Sequence, residues 1–145
     1  MGRVAEEHHG PVVFTKGSFD PPHDGHRRLF DRLSVFGEVI VGVNSDRFYT
    51  EYRGEPPMVD QTERMRRIAE FGYRVELNDG PGRKLIEKIR PDFVAVGSDW
   101  LPGRRDFLAQ IDMTPDDFDE MGIGLIYLPR TPGISSTEIR ERLRG

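Results

Sequence analysis

The chain contains no cysteine in its 145 residues, which excludes disulfides, thiolate metal sites and cysteine nucleophiles. It has no surplus of positive charge either. Its 21 Lys and Arg face 25 Asp and Glu, a net charge of −4, so the broad basic footprint of a nucleic-acid-binding surface is missing. A local basic pocket for a small anion stays open. No apolar run approaches the roughly 20 residues of a membrane-spanning helix, and "MGRVAEEHHG" lacks the apolar core of a secretory signal. The expectation is a soluble, cytoplasmic protein with neither membrane nor nucleic acid as partner. Several motifs are absent as well. "MGIGLIY" holds a Gly-x-Gly but precedes a strand and lacks a third glycine, "DGPGRKL" does not spell a P-loop, and no Gly-x-Ser-x-Gly elbow occurs. No repeat or linker divides the chain, and its length suits one domain, 1–145. Residues 1–10 read as an N-terminal extension with His8 and His9 exposed.

What the chain does have is alternation. "PVVFT", "EVIVGV" (38–43), "YRVEL" (73–77), "DFVAVG" and "GLIYL" (124–128) are short apolar runs, continuous enough for strands buried on both faces. Between them lie helical patterns: His26, Leu29, Phe30, Leu33 and Phe36 or Gly37 on one stripe, and Met65, Ile68 and Ala69 on another. "GRKLIEKI" stops before Pro91, and "SSTEIRERL" closes the chain. "DMTPDDFDE" reads as a solvated helix start, capped by Thr114 with Pro115 in the first turn. The pattern predicts a Rossmann-like α/β domain, a parallel five-stranded sheet with helices on both faces. Residues 49–60, "YTEYRGEPPMVD", lack periodicity and are expected to form a mobile loop. In such sheets ligands bind beyond the carboxyl ends of the strands, where this chain carries "KGSFD", "NSD", "GSDW" and "PRTPGISST".

"GSFDPPHDGH" (17–26) stands where the first strand gives way to a helix. Pro21 and Pro22 hold the chain extended, and Asp24 lies at the helix entrance, where a carboxylate suits the orphan amides. His23 and His26 then flank a helix N-terminus that favours anions. Their imidazoles can donate to phosphate oxygens. Two histidines and Asp20 are a thin ligand set without HExxH or cysteine, so no metal ligand is assigned; a metal site and a purely structural turn rank behind a phosphate cradle. "RTPGISSTEIR" (130–140) fits a capping box between Ser135 and Glu138 with an Ile134–Ile139 staple. It also offers the hydroxyls of Ser135, Ser136 and Thr137 to an anion, with Arg130 able to add a bidentate guanidinium.

Together these two stretches resemble the HxGH and ISSTxxR motifs of the nucleotidyltransferase superfamily. "VNSD", "QTERMRRI", "IRPDFVAVGSDW" and "IYLPRTPGIS" resemble its cytidylyltransferase branch, most of all the glycerol-3-phosphate cytidylyltransferases, over roughly residues 12–143. The resemblance implies transfer of CMP from CTP, with Mg²⁺, to a phosphorylated alcohol, and a homodimer. It implies that His23, His26 and Arg130 are catalytic, and that the backbone of Gly17, Ser18 and Phe19 passes close to the nucleotide. Thr131, Ser135, Ser136 and Thr137, with Arg130, would hold the β- and γ-phosphates, and Asp99 and Trp100 would shape the nucleotide and acceptor pocket. Arg64 would position phosphate or the neighbouring loop. Departures from the family pattern are Lys16, Arg53 in a loop where lysine is usual, and Ser98; Lys16 and Arg53 are candidates for contact with acceptor or phosphate. "GSFDPPH" and "ISSTEIRERL" also resemble nicotinate mononucleotide adenylyltransferases, so adenylyl transfer from ATP to a mononucleotide or phosphopantetheine-like acceptor is the alternative. A nucleotide-binding module without catalysis is a third reading.

Overall fold

The computed structural model describes residues 10–97 and 107–128. Five parallel strands form one sheet in the order β3-β2-β1-β4-β5: β1 (Val12–Gly17), β2 (Glu38–Asn44), β3 (Arg74–Asn78), β4 (Phe93–Gly97) and β5 (Gly124–Leu128). Their apolar character follows from burial on both sides. On one face Phe14, Ile40, Val94 and Val96 pack against α4 (Arg83–Ile89), α5 (Phe107–Gln110) and α6 (Pro115–Met121). On the other, Val13, Val39, Val41 and Val43 pack against Phe30 and Leu33 of α1 (Asp24–Leu33) and Ile68 of α3 (Gln61–Glu70). The predicted α/β sandwich of a five-stranded parallel sheet between helices is the observed fold.

Register matters for the site. β1 and β2 pair from Val12 opposite Glu38 to Gly17 opposite Val43, which places Lys16 beside Gly42. A Cβ on Gly42 would stand 2.8 Å from Cζ of Phe14 and 3.1 Å from a Leu85 methyl. Glycine is therefore required there by close approach.

Some element readings change. The stripe after β1 does not reach Phe36: α1 ends at Leu33 with Ser34 as its C-cap, and Phe36 is exposed in the following turn. Ala69 is exposed as well, while Ile68 is buried and Met65 packs against the core as expected, joined by the buried Arg64. Thr114 and Pro115 open α6 as expected, with a capping box between Thr114 and Asp117. The short α5 has no counterpart in the sequence reading. The largest difference is α2 (Asp46–Arg53), which takes in the first part of the segment read as a loop. Ser45 caps it by accepting from the Phe48 amide at 3.0 Å, and Gly54 ends it in the left-handed region at φ 82°. Its apolar stripe is Phe48, Tyr49 and Tyr52, and a segment begun at Tyr49 cuts that stripe. Among the described residues no helix is long and apolar enough to cross a membrane.

Candidate active site

Strand order reverses between β1 and β4, so a ligand crevice is expected above their carboxyl ends, Gly17 and Gly97. The turn leaving β1 leads into α1 there, and the two histidines are built into that helix start. His23 is the N-cap, with its Nδ1 accepting from the Gly25 amide at 3.0 Å. His26, three residues on, accepts the His23 amide at its own Nδ1 at 3.2 Å. This is the reciprocal logic of a capping box, carried by imidazoles in place of a hydroxyl and a carboxylate. Asp24, expected to serve the helix entrance, instead pairs with Arg27 and Arg28. His23 satisfies the amide that a carboxylate would have taken.

The cap fixes the chemistry of both rings. An Nδ1 that accepts from an amide carries no proton, so each neutral imidazole bears its proton on Nε2. Burial, together with the charge of His23, holds His26 down to about pKa 3, and burial lowers His23 despite the carboxylate of Asp24. Both rings are thus neutral Nε2–H donors at pH 7. The His23 Nε2 is buried and has no hydrogen-bond partner among the described residues, a costly arrangement unless a ligand supplies the acceptor.

Phe19 supports the pair from below. It is buried, adopts φ 51°, and meets His26 edge-on with ring centroids 4.9 Å apart. Its ring folds back over Gly17, where a Cβ would lie 3.0 Å from Cζ. Asp20 is fully buried. Its two carboxylate oxygens accept the amides of Met58 and Val59, each at 2.9 Å.

Arg64 is also fully buried, and its guanidinium is used by the protein. It donates to the carbonyls of Val59 (2.7 Å), Ser18 (2.7 Å) and Asn44 (2.9 Å), and to the Asp46 carboxylate at 2.8 Å. Of the two roles expected for it, its contacts are those of the loop-holding one.

A cavity of about 770 Å³ opens over the carboxyl ends of β1, β2 and β4, bordered by Lys16, Ser18, Asn44, Tyr52, Arg53 and Gly97 among others. Asn44 donates to the Ser18 hydroxyl at 3.1 Å, and that hydroxyl shares a 2.5 Å hydrogen bond with the Tyr52 hydroxyl. Asn78 orients Asn44 by donating to its Oδ1 at 2.8 Å. Arg53 is the last residue of α2, with its guanidinium 5.4 Å from the Tyr49 ring centre. The sequence reading missed Asn44, Tyr52 and Asp20. A buried asparagine at a strand's carboxyl end was the available signal.

Asp99, Trp100, Arg130, Thr131, Ser135, Ser136 and Thr137 lie outside the described residues. Within them, His23, His26, Gly17, Ser18 and Phe19 converge on one turn, with Lys16 and Arg53 around the adjoining cavity. No group of three or more His, Asp or Glu suited to a metal occurs among the described residues.

A switch-point crevice with a histidine-capped helix start defines a Rossmann-like nucleotide-handling domain. The family model described as Cytidylyltransferase-like matches residues 14–142, and the chain belongs to that family, a branch of the nucleotidyltransferases. Among curated proteins it is 33% identical over 101 residues to the bifunctional protein HldE of Helicobacter pylori strain Shi470, covering 66% of this chain and 22% of HldE. It is 37% identical over 94 residues to HldE of Campylobacter curvus, covering 61% of this chain and 20% of that protein. The chain spans about a fifth of the length of these relatives. Its fold is shared with the lipopolysaccharide core biosynthesis protein of Thermoplasma volcanium, with TM-score 0.62 and 23% identity over 83% of this chain and 96% of that one.

Proposed function

We propose that this chain transfers CMP from CTP to a phosphorylated alcohol such as glycerol 3-phosphate, releasing pyrophosphate. The observation that carries the reading is the pair of neutral, cap-fixed imidazoles at the carboxyl end of β1, one with a buried Nε2 lacking a partner among the described residues. Such a donor suits the oxygens of an α-phosphate, where charge redistributes as the leaving group departs.

A phosphate oxygen of the acceptor attacks the α-phosphorus in line and forms the new P–O bond. The bond from that phosphorus to the bridging oxygen breaks, and pyrophosphate leaves with the electron pair. The attacking oxygen is already anionic, so no general base is required and catalysis rests on positioning and electrostatics. His23 and His26 would hold the α-phosphate. By resemblance, Arg130, Thr131, Ser135, Ser136 and Thr137 would hold the departing phosphates, and Asp99 and Trp100 would border the base. The nucleotide enters as its Mg²⁺ complex, so the metal arrives as part of the substrate.

The test is pyrophosphate release from MgCTP and MgATP, each against glycerol 3-phosphate, sugar phosphates and mononucleotides. Turnover with CTP and a phosphorylated alcohol is expected. Faster turnover with ATP would move the chain to the adenylyl branch. Triphosphate binding with no release across the panel would leave a binding module.

A further inference from the structure

Lys16, Lys84 and Lys88 are the chain's lysines. Lys84 and Lys88 are exposed on α4, whereas Lys16 is largely covered. Lys16 shares a sheet face with Phe14, and its neighbour on β2 is the side-chain-free Gly42. Gly82, at φ 132°, brings the start of α4 down onto it, and a Cβ there would lie 3.2 Å from Cδ and 3.3 Å from Cε. The stem is threaded between the sheet and this glycine. Among the described residues no carboxylate lies within ion-pair distance of its ammonium. Burial holds its pKa down to about 8, still charged for the most part at neutral pH.

The neighbouring cavity makes the contrast. Over β3 a cavity of about 620 Å³ is bordered by Arg47, Arg83, Lys84 and Lys88 and also by the acids Glu51, Asp79 and Asp112. Three of the four cations are paired, Arg47 with Glu51 and Asp79, Arg83 with Glu87 and Asp117, Lys88 with Glu76, and Lys84 is exposed to solvent. The cavity at Lys16 also holds Arg53, yet no Asp or Glu lines it among the described residues. In a chain with more acids than bases, that is a cationic pocket without a lining acid among the described residues, and a covered ammonium without counter-charge is costly unless a ligand brings one. The hydroxyls of Ser18 and Tyr52, with the Asn44 amide behind them, border the same space. They suit neutral hydroxyl groups.

We infer that Lys16 anchors the phosphate of the acceptor in this pocket, and that the acceptor is a polyol phosphate rather than a phosphorylated amino alcohol. This rests on the nucleotidyl-transfer reading for the word acceptor, though the anion site itself does not. Two cations, with no acid beside them among the described residues, would repel an ammonium head group, while the Ser18–Tyr52 hydroxyl pair offers hydrogen bonds to a polyol.

The experiment is calorimetric titration of wild type and Lys16→Met with glycerol 3-phosphate, phosphocholine, glycerol, MgCTP and MgATP, each alone. Methionine keeps a flexible apolar stem, and circular dichroism with thermal melting confirms that the variant folds. Glycerol 3-phosphate is expected to bind wild type and to bind the variant at least tenfold more weakly, with MgCTP unchanged. Glycerol should not bind, and phosphocholine should bind more weakly than glycerol 3-phosphate. Equal affinity of the two proteins for glycerol 3-phosphate, an equal loss of MgCTP, tighter phosphocholine, or no binding of glycerol 3-phosphate to wild type would each overturn the inference. Failure of wild type to bind either CTP or ATP would instead overturn nucleotidyl transfer and leave the Lys16 result standing.

Discussion

The rings of His23 and His26 stack 3.7 Å apart at 21° to one another, while the second of them takes the main-chain amide of the first. Two residues proposed to hold the α-phosphate are therefore also the hydrogen-bonded start of a helix. Stability and the proposed chemistry share the same rings there, the cap taking Nδ1 and leaving Nε2 for a ligand. That sharing allows the two roles to be separated by substitution.

Glutamine at position 26 keeps an acceptor at the third helical position, as in an ordinary capping box, but removes the ring and its Nε2–H. His26→Gln is expected to stay folded and to lose on the order of 10²–10³ in turnover, the usual cost of one preorganised donor. His26→Ala should lose similar turnover and also about 1 kcal/mol of stability from the cap. Pyrophosphate release and urea denaturation on both variants check this, and near-wild-type release by folded His26→Gln would sink the role.

The lowered pKa values fix a direction for acid stability. The folded protein holds His26 neutral down to about pH 3, whereas the unfolded chain takes up the proton near 6.5. Between those values the unfolded state binds more protons, so stability rises with pH across the window and is lost as the pH falls through it. His23 is shifted the same way. Urea midpoints at pH 7 and pH 5 should differ, by no more than about 1.4 kcal/mol per pH unit for each proton. His26→Gln should flatten the slope.

Arg64→Met leaves the carbonyls of Ser18, Asn44 and Val59 without their donor and Asp46 without its cation. A loss of about 3–5 kcal/mol is expected, the usual result of breaking a buried, hydrogen-bonded charge. Chemical denaturation measures it. A loss in the range of an exposed ion pair, under about 1 kcal/mol, would show that the guanidinium does not bind these strand ends together.

Asp20→Asn is a subtler change in the same place. Both carboxylate oxygens accept amides, and an asparagine offers one acceptor and turns two N–H donors toward the other amide. About 1–3 kcal/mol should be lost, with amide hydrogen exchange accelerated at Met58 or Val59. Unchanged exchange at both amides would contradict the contact.

How much of this was legible beforehand follows from what each residue reports. The strands were plain because Val39, Ile40, Val41 and Val43 are buried whichever face they point to, so a continuous apolar run survives in the sequence. The turn at 17–26 was legible because histidine, proline and glycine are rare enough together to suggest a purpose. α2 was hidden because its face is aromatic and short, and its boundaries rest on Ser45 and Gly54 rather than on periodicity. Arg64 was left between phosphate and the neighbouring loop because composition cannot say whether a guanidinium meets ligand or main chain. Only the three-dimensional meeting of Ser18, Asn44 and Val59 decides that. The pairing of Asn44 with Ser18 and Tyr52 joins residues from three separate elements, which no local pattern records.

Val59 is gripped at both of its main-chain polar groups, its N–H by Asp20 and its C=O by Arg64. The connection between α2 and α3 is therefore anchored at its downstream end to the same turn that carries the histidines. Changes of length have to enter upstream, at Glu55, Pro56 and Pro57, between the Gly54 cap and the anchor. A segment grafted at those three positions would follow closely on Arg53, which borders the Lys16 cavity, while the grip on Val59 stays in place. The chain thus contains a replaceable rim on a fixed hearth.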